Sequence, residues 1–105
     1  ELFMCQIFSG QNPENYRCVT KSIRLDGQVT SIRLERLYWS ILDELAASED
    51  VSTPAFISKL HREVLAIRGA PQNFSSILRC ACLISKDIAL STRLEEEEIP
   101  QKKAG

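Results

Sequence analysis

The tetrapeptide Ser-Ile-Arg-Leu occurs twice, at 22–25 and 31–34, and its two copies hold the side chains best suited to contacting an anion. A guanidinium presents five N–H donors in a planar fork that matches a phosphate or the edge of a guanine, and a serine hydroxyl donates or accepts beside it. Residues 17–34 carry Arg17, Lys21, Arg24 and Arg33 against Asp26, a net of +3, although the whole chain stands at −1. Residues 35–50 reverse the sign, with Arg36 against Glu35, Asp43, Glu44, Glu49 and Asp50, a net of −4, and residues 51–90 return to +3. A nearly neutral total gives no indiscriminate attraction, so any polyanion must be met by a small patch.

Other chemistries are poorly represented. Cys5, Cys18, Cys80 and Cys82 are even in number, yet the apolar patterning builds a core without disulfides, so reduced thiols are expected. Cys80 and Cys82 fall in a helical pattern, where residues two apart lie on different faces and cannot chelate one ion together. His61 is the only histidine, which leaves no Cys/His metal set and no hydrolytic triad, and it is expected as a helix-flank side chain. No phosphate-binding glycine loop and no pair of carboxylates in an apolar setting is present, so neither an enzyme nor a cofactor is expected.

The elements that position the two arginines follow from periodicity. At 105 residues, 44% hydrophobic and 26% charged, the chain has the size and composition of one folded domain. The longest apolar run, Cys80 to Ile84, is far short of the roughly 20 residues that cross a bilayer, and the first residues lack a signal-peptide pattern, so a cytoplasmic protein without a membrane partner is expected. Apolar and polar residues alternate on both sides of Asp26-Gly27, a favoured two-residue turn, which predicts strands over about 19–25 and 28–34. Ser22 would then lie opposite Ser31, with Ile23, Leu25, Ile32 and Leu34 on one face and Ser22, Arg24, Ser31 and Arg33 on the other. Upstream, Met4 to Phe8 reads as a further short strand.

Beyond Glu35 the period becomes helical. Tyr38, Ile41, Leu42 and Leu45 mark a helix over about 36–48, with Trp39 beside them as a packing anchor. Ser52 followed by Thr53-Pro54 starts a second helix, over 53–68, with Phe56, Ile57, Leu60, Val64 and Ile67 as its stripe and Gly69 as its stop. Asn73 caps a third over 74–89, striped by Phe74, Ile77, Leu78, Ala81, Ile84 and Ile88. Residues 1–90 make the domain, and 91–105, with Glu95 to Glu98, read as a flexible acidic tail.

A strand followed by two helices leaves an open sheet edge that needs a partner. This order resembles the ribbon-helix-helix superfamily, in which two chains each lend a strand to an antiparallel ribbon that enters the DNA major groove. The chain is closer still to an uncharacterised bacterial branch of it, through Cys5-Gln6-Ile7-Phe8, Lys21-Ser22-Ile23-Arg24-Leu25 with Gly27, and Thr30-Ser31-Ile32-Arg33-Leu34-Glu35 with Trp39 and Leu42. Thr53-Pro54 with Phe56-Ile57, Glu63-Val64, and Asn73-Phe74-Ser75-Ser76-Ile77-Leu78-Arg79 continue the likeness, which spans roughly residues 4–84.

The resemblance implies an α+β, mainly helical fold forming an intertwined homodimer, with an extra N-terminal strand segment and a third C-terminal helix. It implies a transcriptional regulator that binds a pseudo-palindromic DNA site. Thr30, Ile32 and Leu34 would face inward, and Val29, Ser31 and Arg33 would read bases; valine offers only methyl contact where relatives often carry a basic or polar side chain. Ser52 and Thr53 at the start of the second helix would contact a phosphate. Lys21, Ser22 and Arg24 are additional DNA-facing candidates. If both predicted strands pair within a chain, the dimer would present four strands, wider than the two-stranded ribbon a major groove admits. Two rivals stand beside this function: a protein-interaction or antitoxin-like dimer without sequence-specific DNA binding, and a ligand-gated repressor with Trp39, Tyr38 and Phe56 around a pocket.

Overall fold

The computed structural model describes residues 2–97, with side chains over residues 5–88. Its elements in order are α1 (Leu2–Ser9), a 3-10 turn (Pro13–Tyr16), β1 (Cys18–Leu25), β2 (Gln28–Glu35), α2 (Arg36–Ser48), α3 (Thr53–Arg68) and α4 (Phe74–Glu97). The fold is α+β and mainly helical.

β1 and β2 form an antiparallel hairpin that places Ser22 opposite Ser31, Lys21 opposite Ile32 and Arg24 opposite Val29. Its turn residues, Asp26 at φ 52° and Gly27 at φ 83°, both lie in the left-handed region. This is the type I′ arrangement, whose twist matches that of the flanking strands. Ile23, Leu25, Ile32 and Leu34 are buried on one side of the sheet, and the helices cover that side with Trp39 and Leu42 from α2, Ile57 from α3, and Leu78 and Cys82 from α4.

Caps fix where the helices begin and end. α2 closes with Val51 N–H donating to the Ala46 carbonyl (3.1 Å) and Asp50 N–H to that of Ala47 (3.0 Å), a Schellman ending with Asp50 at φ 62° in the left-handed position. Ser52 Oγ accepts from the Ala55 amide at 3.2 Å and opens α3. Asn73 Oδ1 does the same for α4 through the Ser76 amide, also at 3.2 Å.

Several expectations need correction. Met4 to Phe8 belongs to α1, not to a strand: a strand there would need a neighbour to bond, whereas the helix satisfies its own backbone, and Gly10 N–H closes it on the Gln6 carbonyl at 2.9 Å. α4 continues to Glu97, so the segment from 91 is helical over its first seven residues, and the rest of the expected tail lies outside the described residues. The apolar stripes are also less buried than their spacing suggests. Ile67 is 75% exposed, Ile84 55% and Ile88 57%, because among the described residues no other element covers those turns. Trp39, by contrast, is the packing anchor its place beside the stripe predicts, and lies in the core.

Candidate nucleic-acid interface

The outer side of the hairpin carries Thr20, Ser22, Arg24, Val29, Ser31 and Arg33, all exposed. Their placement follows from the period of two: each apolar partner is turned to the helices, so each polar neighbour is turned away. Val29, 61% exposed, sits beside Arg24 on the adjoining strand. Arg24 uses one guanidinium donor on the Gly27 carbonyl (3.1 Å), which draws it toward the turn. Neither Arg24 nor Arg33 is in an ion pair among the described residues, whereas Arg17, Lys59, Arg79 and Lys86 are bound to Glu14, Glu49, Glu35 and Glu44.

Lys21 is separated from this group. Directly opposite Ile32, it stands on the helix side of the sheet with its ammonium 4.8 Å from the centre of the Trp39 ring, a cation–π contact. An odd-numbered residue on β1 cannot share a face with Ser22 and Arg24, so the expected DNA-facing trio loses Lys21. Thr30 keeps its expected inward side but is exposed, since it opens into a cleft of about 460 Å³ that it lines with Gln28, His61 and Phe74.

Backbone polarity leaves both edges of the hairpin open, that of β1 at Thr20, Ser22 and Arg24 and that of β2 at their partners. Arg36 N–H donates to the Arg17 carbonyl at 2.9 Å, continuing the ladder one step past the strands. Because hydrogen-bonded pairs alternate along an antiparallel ladder, Leu34, Ile32, Thr30 and Gln28 direct their N–H and C=O groups to β1. Val29, Ser31 and Arg33 therefore direct theirs to the open side of β2. Among the described residues no hairpin, turn or loop bond engages them there.

Glu35 ends this strand and is tied to α4 by Arg79, whose Nε donates to its carboxylate at 3.0 Å. Its own backbone amide, followed by the Arg79 guanidinium, holds the Glu35 carboxyl below the usual glutamate value, so it is ionised at neutral pH. Arg79 also lies over the Tyr38 ring, 5.9 Å from its centre. Sequence reading missed this tie, because nothing links two residues 44 positions apart before folding.

At the start of α3 the two hydroxyls already have partners. Ser52 caps Ala55, and Thr53 Oγ1 donates to Asp43 Oδ1 of α2 at 2.6 Å, another residue that the sequence did not single out. The aromatic pocket does not assemble. Trp39 is in the core beside Lys21, Tyr38 lines a groove of about 230 Å³ with Tyr16 and Leu83, and Phe56 lines a separate hollow with Lys59 and Glu63.

Residues 18–85, which hold the hairpin, α2, α3 and the first half of α4, match a known family model, that of the ribbon-helix-helix domain. The chain belongs to the ribbon-helix-helix family. The match runs from the start of β1 into α4, so both strands of the hairpin of this ribbon-helix-helix chain lie within it. Among solved structures it is similar to an uncharacterized protein from Bordetella pertussis Tohama I, with 38% identity, a TM-score of 0.82, and coverage of 86% of this chain and 72% of that one. A search of curated proteins finds no match. Among the described residues no helix is long and apolar enough to cross a membrane, and no group of three or more His, Cys, Asp or Glu side chains is gathered as a metal ion would require.

Proposed function

We propose that the chain acts as a homodimeric, DNA-binding transcriptional regulator in the cytoplasm, and that β2 of each copy pairs along its open edge to build the ribbon. The observation that carries this is that Val29, Ser31 and Arg33 point their side chains to the exposed basic face and their backbone groups to the free edge. An unpaired edge is a template for another strand, and two identical edges pair antiparallel about a two-fold axis. Because Arg79 draws Glu35 toward α4, the available residues are these three, and the pairing that uses all of them places Ser31 on the axis.

In that dimer Arg33 has the reach to donate two bonds to guanine O6 and N7, Ser31 bonds to a base or phosphate, and Val29 packs on a thymine methyl. Two-fold symmetry of the protein predicts a pseudo-palindromic site. Catalysis and a cofactor have no place in this function.

Selection from random DNA with the full chain tests it. A pseudo-palindromic consensus should emerge, and Arg33→Ala should lower discrimination at one position of each half-site by about 1–3 kcal/mol. Unchanged binding of Arg33→Ala to the selected site would defeat reading by the strand. Recovery of a stable protein partner with no DNA enriched would favour the interaction module instead.

A further inference from the structure

We propose that the DNA backbone is held by Arg24, on the outer strand β1 of each copy. This assignment rests on the homodimer and DNA binding proposed above.

The hydroxyls at the start of α3 are already engaged. Ser52 Oγ accepts from the Ala55 amide, and the Thr53 hydroxyl is donated to the Asp43 carboxylate at 2.6 Å. A carboxylate beside the first turn of a helix takes the place at which the helix dipole would favour an incoming anion, and it repels a phosphate approaching the same spot. Two hydroxyls that bind within the protein, with a negative charge next to them, are a poor backbone clamp.

Arg24 has the opposite attributes. It is exposed on the same face as Ser31 and Arg33, has no acidic partner among the described residues, and spends one donor on Gly27. That bond orients the guanidinium while leaving its other N–H groups for a ligand. Lys21, the other cation on β1, lies on the opposite pleat from Ser22 and Arg24 and is turned to Trp39 on the far side of the sheet.

Dimer geometry then decides what Arg24 meets. Pairing of the two β2 strands through Ser31 puts them at the centre and the two β1 strands outside. Since Arg24 faces Val29 within the hairpin, each Val29 lies between its own Arg24 and the partner's Arg33. A serine row, Ser22 and Ser31 from each copy, crosses the middle. With strands about 4.8 Å apart and about 3.4 Å per residue, the two Arg24 Cα atoms are about 20 Å apart and the two Arg33 Cα atoms about 14 Å apart. The major groove is about 12 Å wide, so the central pair of strands occupies it while the outer arginines reach the phosphates on its two walls. The four-stranded width that seemed an obstacle to groove insertion thus becomes the means of gripping both walls, helped by the twist that tilts outer strands away from the central ones.

The test is the salt dependence of binding by the full chain to its selected DNA site. Each phosphate neutralised contributes about 0.9 to the slope of log affinity against log salt concentration, so Arg24→Gln, which removes two contacts per dimer, should make the slope shallower by about 1.8 while leaving the preferred sequence unchanged. Arg24→Lys, which keeps the charge, should retain the slope, and circular dichroism of both variants checks that they fold. The assignment is overturned if Arg24→Gln folds and keeps the full slope, or if Thr53→Val takes away slope that Arg24→Gln does not. Failure of the unaltered chain to bind any DNA at low salt defeats the underlying DNA-binding proposal itself, and this assignment with it.

Discussion

The indole Nε1 of Trp39 donates to the carbonyl of Val19 at 2.9 Å, joining the first turn of α2 to the start of β1 across 20 positions of sequence. The same ring receives the Lys21 ammonium on its face. Trp39 thus fixes how the hairpin sits on the helices, and with it the direction in which Arg24 and Arg33 point. Replacing Trp39 by Phe keeps an aromatic ring but removes the donor and part of the volume. We expect a loss of about 1–3 kcal/mol, read as a lower urea midpoint with an unchanged m-value.

Two turn positions should respond in opposite directions. Gly27 has φ 83° and nothing within 4 Å of where a Cβ would lie, so Gly27→Ala meets no clash and its cost is purely conformational, about 1–2 kcal/mol. Asp50, at φ 62° in the ending of α2, is a side chain in a place that favours glycine, and Asp50→Gly should stabilise the protein by about 0.5–1 kcal/mol. Thermal denaturation of the two variants beside the parent protein checks both signs.

Acid should loosen the tie between β2 and α4. The Glu35 carboxyl is held below its ordinary value of 4.5, first by its backbone amide and then by Arg79. A group whose folded value is depressed contributes stability that is complete above the unfolded value and is lost as pH falls through the folded one. Stability of the parent protein should therefore decline from about pH 4.5 downwards, and Glu35→Gln should show a smaller decline across that window. Parallel declines in the two proteins would show that Glu35 does not contribute.

The four thiols should separate by reactivity. Cys5, Cys18 and Cys80 are exposed, whereas Cys82 is buried, with its Sγ donating to the Tyr38 carbonyl at 3.7 Å. Burial pushes the Cys82 thiol up to about 11, so little thiolate forms at neutral pH. Alkylation in native conditions should modify the three exposed cysteines quickly and Cys82 only after unfolding. Because its folded value is raised, its contribution to stability is complete below the ordinary value of 9.0 and is lost as pH rises through about 11.

Much of the scaffold follows from local chemistry. Alternation on either side of Asp26-Gly27 dictated the hairpin and the meeting of Ser22 with Ser31, since a two-residue turn leaves only one register. Ser52, Pro54 and Asn73 marked the helix starts because a capping group acts on amides two or three residues away. The period of two also placed Arg24 and Arg33 on one face. Tertiary structure decided whatever depends on contacts between distant positions. It left Ile67, Ile84 and Ile88 uncovered, bound Glu35 to Arg79, and seated Thr53 on Asp43. Lys21 shows the boundary between the two: its side of the sheet was fixed by its odd position in β1, but only the packing of α2 against the hairpin placed a tryptophan ring there to receive it.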